Sequence, residues 1–233
     1  MTDRSPDQLR PVSMELGFTD ATPGSVLISM GNTKVLCTAS IDSNVPRWMA
    51  ESGEGWVTAE YAMLPGSGRE RVRRDHVSGG RAKEISRLIG RALRAGVDMK
   101  ALGELVVRVD CDVLQADGGT RTAAVTGAWV AMYQALQDGV ERGLLDRLPI
   151  VDEIAAISVG IVDSVPWLDL DYERDVNADV DMNVVMTGRG LLVEVQGTAE
   201  KAPFSRADLD GLLDLAAKGI AELHDLQRRA VES

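Results

Sequence analysis

Strand-like text followed by helix-like text occurs twice in this chain, and that order admits few architectures. Residues 24–30 and 33–39 are apolar-rich runs on either side of Gly31-Asn32, the pattern of a β-hairpin. Residues 12–18 alternate weakly, and 56–61 offer a further strand after Gly53-Glu54-Gly55. Ile85, Leu88, Ile89, Ala92 and Leu93 then fall on one stripe of an amphipathic helix, with Arg87, Arg91 and Arg94 on its opposite faces. Residues 105–114 alternate again, with Val107, Val109, Cys111 and Val113 on one side. Ala116-Asp117-Gly118-Gly119-Thr120 ends that strand and opens a second helix over about 120–137, rich in Ala, Val and Met and therefore expected to be buried. After a connection over 138–149, strands are expected at 154–162, 167–171, 180–186 and 191–196. Ser205-Arg206-Ala207-Asp208 reads as a capping box with Asp in place of Glu, and Leu209, Leu212, Leu213, Ala216, Ile220 and Leu223 continue the helix it starts. Strands gathered before helices, twice over, predict an α+β fold of two related halves and not a strictly alternating parallel sheet.

Charge is distributed unevenly. With 25 Lys and Arg against 36 Asp and Glu, the 233 residues carry a net charge of −11. A body this acidic excludes uniform coating of a nucleic acid, so any such site must be a local patch. One patch stands out. Residues 66–94 hold Arg69, Arg71, Arg73, Arg74, Arg81, Lys83, Arg87, Arg91 and Arg94 against Glu70, Asp75 and Glu84, a net +6 that leaves −17 elsewhere. Two readings fit: guanidinium groups gripping a phosphate-rich ligand, or a solvated helix face joined to a polar loop. Only two cysteines, Cys37 and Cys111, are present, which excludes a disulfide scaffold and fits a reducing compartment. The polar start, residues 1–10, lacks the apolar core of a signal peptide, and no run reaches the roughly 18 apolar residues of a membrane span. A cytoplasmic protein is expected.

Two further clusters carry candidate chemistry. In Gly118-Gly119-Thr120-Arg121-Thr122 the glycines let the backbone approach an anion, and the new helix directs its N–H groups at it. The same text also fits an ordinary strand-to-helix turn, and it is not a Walker A loop. Asp175, Asp179 and Asp181 form the second cluster. Asp179 and Asp181 are two apart on an expected strand and so share a face, and Asp175 precedes them. Such carboxylates suit a hard cation such as Mg²⁺, or else decorate a solvent-facing strand. His76 and His224 match no zinc spacing with the cysteines, the Gly-x-Ser-x-Gly motif of serine hydrolases is missing, and both cysteines are expected in the core.

Taken together these segments resemble the ribonuclease PH family of phosphate-dependent 3′→5′ exoribonucleases. The resemblance runs through Asp7-Gln8-Leu9-Arg10-Pro11, Gly31-Asn32-Thr33-Lys34-Val35, Thr58-Ala59-Glu60-Tyr61 and Ile85-Ser86-Arg87-Leu88-Ile89-Gly90-Arg91. It is most specific over residues 110–122 and extends through Asp179-Val180-Asp181-Met182-Asn183-Val184 and Val195-Gln196-Gly197-Thr198-Ala199-Glu200. It implies two ribonuclease PH-type halves of the ribosomal protein S5 domain 2-like kind, residues 1–148 and 149–233, packed as one compact unit. It implies phosphate binding by Arg81, Gly119, Thr120 and Arg121, with Asp175 and Asp181 as the catalytic, metal-associated pair for Mg²⁺ or Mn²⁺. Asp181 is also a general-acid candidate toward the leaving 3′-oxygen. Inorganic phosphate would be co-substrate and single-stranded 3′ ends of tRNA precursors the substrate. Arg69, Arg71, Arg73, Arg74, Arg87 and Arg91 would contact RNA, and six copies would form a ring as a trimer of dimers, with no DNA and no membrane involved.

The chain departs from the family pattern in places. Gly66-Ser67-Gly68 replaces the usual Arg-Ala-Thr, residues 49–54 are acidic, Ala82 follows Arg81 where Thr is usual, and Glu200-Lys201 replaces Gly-Glu. Two other readings remain at this point: a non-catalytic RNA-binding subunit of an exosome-like ring, and a metal-dependent hydrolase releasing monophosphates.

Overall fold

Our computed structural model describes residues 4–49, 51–73 and 79–232. Arg74 and His76, both singled out above, and Ala50 of the acidic stretch lie outside the described residues. The first half opens with β1 (Val12–Leu16), β2 (Gly24–Met30), β3 (Thr33–Asp42) and β4 (Trp56–Met63). Met30 pairs with Thr33 across Gly31-Asn32, so the hairpin turns where the sequence places it. Helices α1 (Gly80–Arg94) and the short α2 (Met99–Leu102) then cross to β5 (Val106–Gln115), which lies parallel to β4 and antiparallel to β3. The sheet order is β1-β2-β3-β5-β4.

Helix α3 (Thr120–Glu141) is buried on nearly every side, from Thr122 through Met132 without a break. Its close seat on the first sheet depends on Gly127, where a Cβ would stand 2.7 Å from Ile28 Cγ2 and 2.9 Å from Cys37 Sγ. The second half contributes β6 (Ile154–Val162), β7 (Val165–Leu168), α4 (Tyr172–Asn177), β8 (Val180–Thr187) and β9 (Leu192–Ala199). Their antiparallel sheet, ordered β7-β6-β8-β9, packs on α3 and is covered by α5 (Arg206–Val231). Ser205 and Asp208 close the capping box of α5 as expected. One hydrophobic core runs from Val26 and Ile28 through α3 to Ile157, Val184 and Leu223. Cys37 and Cys111 are buried register partners within it.

Several expectations are corrected. The strand expected at 167–171 ends at Leu168, because Asp169 takes a φ of 57° and Asp171 caps α4 by accepting the Arg174 N–H. The connection expected at 138–149 is helical to Glu141. Helix α1 begins at Gly80, a full turn before its apolar stripe. Arg94 is not simply on the outer face: its guanidinium stacks 4.2 Å from the Trp56 ring centroid and donates to the Val57 carbonyl.

Candidate active site

Two helix N-termini converge on one cavity. Gly79, Gly80, Arg81 and Ala82 bring the first turn of α1, and Gly118, Gly119, Thr120 and Arg121 bring that of α3. Among the described residues, neither helix has a side-chain N-cap or an acidic residue in its first turn. An ordinary helix start uses Ser, Thr, Asp or Asn for these purposes. Here glycines leave the N–H groups open, and Arg81 and Arg121 add positive charge to the positive end of each dipole. That combination is unfavourable in the free protein and favourable once an anion sits there. Gly118 and Gly119 take φ values of 74° and 64°, a left-handed pair that side chains resist.

The opposite wall comes from the second half: Ser158 of β6, Tyr172 and Asp175 of α4, and Asp181 and Asn183 of β8. The cavity volume is about 630 Å³, room for a nucleotide and a phosphate. Capping by Asp171 starts α4, and one turn later Asp175 meets the cavity. Asp181 and Asn183 are two apart on β8 and therefore face the same way. Burial raises Asp175, while Arg81 and Arg121 pull it down. Burial and the neighbouring Asp175 charge push Asp181 up to about 6, again against Arg121 and Arg81. Two carboxylates held above their ordinary range are uncompensated negative charge, the electrostatic condition that a hard cation relieves. Their oxygen donors fit Mg²⁺ or Mn²⁺, with phosphate oxygens and water completing the shell. No cluster of three or more His, Cys, Asp or Glu fit for a metal occurs among the described residues. The expected third member, Asp179, precedes β8 and pairs with Lys201 at 3.0 Å, outside the cavity lining. Lys201 is one of the departures noted above.

The cavity thus gathers all six expected phosphate and carboxylate residues. Of the expected RNA-contacting arginines among the described residues, it includes only Arg69, which reaches Glu173 at 2.5 Å and stacks 4.6 Å from the Tyr172 centroid. Arg71 and Arg73 lie exposed in the loop, and Arg87 is exposed on α1. Arg91 pairs with Glu194 of β9. Arg121 donates to Gln196 at 3.1 Å and lies 3.9 Å from Glu84, which fixes it across the two halves.

Residues without a sequence-assigned role also belong here. The Tyr61 hydroxyl is 2.8 Å from Thr120 Oγ1, its ring is buried, and its backbone N–H donates to Ser86 on α1. Ser158, Asn183 and Tyr172 line the wall, and Glu200 is close enough to raise both aspartates. The signal for Tyr61 was its place in Thr58-Ala59-Glu60-Tyr61, whereas nothing in the sequence marks Ser158.

Residues 8–136 match the 3′ exoribonuclease family, domain 1, and residues 152–219 match domain 2 of that family. The chain is 55% identical to ribonuclease PH of Corynebacterium efficiens over 231 residues, covering 98% of this chain and 94% of that protein. It is 54% identical to ribonuclease PH of Caulobacter vibrioides over 233 residues, covering 99% and 98%. Among solved structures, rice (Oryza sativa) Rrp46 superposes with a TM-score of 0.79 at 17% identity, over 98% of each chain. A chain of the Archaeoglobus fulgidus exosome with RNA bound to the active site superposes with a TM-score of 0.80 at 20% identity, over 95% of this chain and 90% of that one. These two likenesses concern the fold. With both domains matched in order and full-length relatives above half identity, the chain belongs to the 3′ exoribonuclease family, as a member of its ribonuclease PH branch.

Proposed function

We propose that this cavity performs phosphorolysis at RNA 3′ ends. The protein is a phosphate-dependent 3′→5′ exoribonuclease and nucleotidyltransferase that trims tRNA precursors. The single observation carrying this assignment to the cavity is the convergence of two uncapped, arginine-bearing helix N-termini opposite two raised carboxylates. Inorganic phosphate attacks the phosphorus of the last linkage. A new P–O bond forms, the bond to the 3′-oxygen breaks, a proton ends on that oxygen, and a nucleoside diphosphate leaves. The products retain comparable bonds, so the same site also adds nucleotides from diphosphates.

Arg81 and Arg121 hold the phosphate by charge, while the N–H groups at Gly119 and Thr120 and the Thr120 hydroxyl orient it. Asp175 and Asp181 are the residues that would hold Mg²⁺ or Mn²⁺. The ion, when bound, supplies neutralisation of charge developing on phosphoryl oxygens. No side-chain nucleophile is required, since positioning and electrostatics carry the reaction. Arg69 guides RNA at the cavity, and Arg71, Arg73, Arg74, Arg87 and Arg91 extend that path over the loop and α1.

In this reading residues 1–148 and 149–233 are the two halves, and the protein acts in the cytoplasm. Among the described residues no helix is long and apolar enough to cross a membrane. The protein self-associates in this reading as a homohexameric trimer of dimers; exposed Leu191, Leu192 and Val195 around edge strand β9 support an interface there, without setting the number of copies. The test is incubation with a 3′-extended RNA with and without phosphate, identifying the released nucleotide. Diphosphates formed only with phosphate are expected. Equal rates in phosphate-free buffer with monophosphate products would end the assignment.

A further inference from the structure

Arg10, in the Asp7-Gln8-Leu9-Arg10-Pro11 motif, has no part in the chemistry above, yet it is 4% exposed and all three of its guanidinium nitrogens are hydrogen-bonded. Its Nε and its backbone N–H both donate to Asp169 Oδ2 at 2.9 Å, and Nη2 donates to Oδ1 at 2.6 Å. Nη1 donates to the Asp117 carbonyl at 2.6 Å, and Nη2 lies 3.5 Å from that of Gly118. Thr33 grips the same turn from the other side: its hydroxyl donates to the Gly118 carbonyl at 2.6 Å and accepts the Asp117 N–H at 2.9 Å. Asp169 is fully buried and takes a positive φ of 57°, a conformation that persists in a non-glycine residue only when its surroundings impose it. Gly31 makes room, since a Cβ there would stand 2.8 Å from Arg10 Cδ.

In a trans peptide the carbonyl and the following N–H point in opposite directions. Fixing the Asp117 and Gly118 carbonyls against Arg10 and Thr33 therefore turns the Gly118 and Gly119 N–H groups the other way, and both glycines line the cavity. We infer that Arg10, anchored by Asp169 of the second half, and Thr33 are positioning residues that hold the phosphate-binding turn in its donating orientation. The inference rests on the phosphorolytic reading and adds to it the residues that preorganise the turn. Two halves of the molecule meet in this clamp. Its failure would loosen phosphate without touching RNA.

Thr33→Val keeps the shape and removes the hydroxyl, Thr33→Ser restores it, and Arg10→Lys keeps the charge but cannot span Asp169 and the Asp117 carbonyl together. The measurements are titration calorimetry with inorganic phosphate alone, and steady-state kinetics in phosphate and RNA. Thr33→Val and Arg10→Lys are expected to weaken phosphate binding and raise the phosphate KM about ten-fold, equivalent to about 1.4 kcal/mol. The RNA KM should be unchanged, and Thr33→Ser should behave as wild type. Unchanged phosphate affinity in Thr33→Val and Arg10→Lys would overturn the clamp while leaving phosphorolysis intact. Failure of both variants to fold would assign these side chains to stability alone and equally overturn it. A wild-type protein that binds no phosphate would instead sink the phosphorolytic reading, and the clamp with it.

Discussion

The Asp181 carboxyl stands in the field of Asp175, and burial together with that neighbouring charge pushes its pKa up to about 6. The folded value exceeds the ordinary 3.8, so the folded state holds an extra proton between the two, and stability is lost as pH rises through that window. Asp181→Asn removes this penalty. In buffer free of divalent ions its Tm should exceed that of wild type at pH 7.5, by about 2–4 °C for each 1 kcal/mol relieved, and the two should converge near pH 4. Turnover should meanwhile fall by about 10²–10³-fold, as when one preorganised electrostatic contact is removed, with Asp175→Asn behaving alike. Differential scanning calorimetry and a phosphorolysis assay check both halves of this trade. A variant that keeps most of its activity at low millimolar Mg²⁺ would show the pair to be decoration.

Tyr61 supplies a second prediction. Its hydroxyl meets Thr120 Oγ1 at 2.8 Å in a buried setting, so it constrains which way the threonine hydroxyl points. Tyr61→Phe deletes one hydrogen bond worth about 1 kcal/mol, which corresponds to about a five-fold rise in phosphate KM. RNA affinity should not move. An unchanged phosphate KM would reduce Tyr61 to core packing.

His224 predicts an acid limb of stability unrelated to catalysis. Its Nδ1 is 2.9 Å from Gln227 Oε1, its buried Nε2 has no partner among the described residues, and burial lowers its pKa below 6.5. The unfolded chain takes up a proton below pH 6.5 while the folded one resists, so stability declines as pH falls through that value. His224→Leu, whatever its absolute Tm, should lack that part of the slope between pH 7 and 5. An identical slope would assign the acid limb to other groups.

The loop arginines should separate grip from chemistry. Arg69, Arg71 and Arg73 are exposed, and Arg69 pairs with a half-exposed Glu173. Neutralising these three together with Arg74 should leave the thermal midpoint almost unchanged. Each lost phosphate contact should flatten the log–log salt dependence of RNA affinity by about 0.7. Phosphorolysis of a short oligonucleotide should survive, since Arg81 and the Gly119-Thr120-Arg121 turn are untouched. Dissociation of the quadruple variant into smaller species would instead make these arginines interface residues.

Much of this architecture was legible because period and punctuation agreed. The 105–114 alternation, the Gly118-Gly119 break and the apolar text after Thr120 each specify one local conformation, and they became β5, the left-handed pair and α3. Where a single polar side chain decides the outcome, pattern fails. Trp167 to Asp171 alternates like a strand, yet the Asp171 carboxylate captures the Arg174 N–H and converts its end into α4. Without that short helix the sequence could gather Asp175, Asp179 and Asp181 as a trio; with it, Asp175 and Asp181 meet while Asp179 turns to Lys201. The clamp made by Arg10 was not legible in its motif for a related reason. Its partners lie more than a hundred residues away, and no local spacing encodes them.

The burial of α3 on nearly all its sides has a consequence for how a polymer is admitted. Neither sheet can swing away from that helix without wetting its apolar side chains, so the halves are not jaws that open and close around a strand. The slot between them stands permanently formed, with walls drawn from both. Phosphate and the RNA end therefore meet walls already in place, and the ordering of the site is completed when the chain folds, not when the polymer arrives.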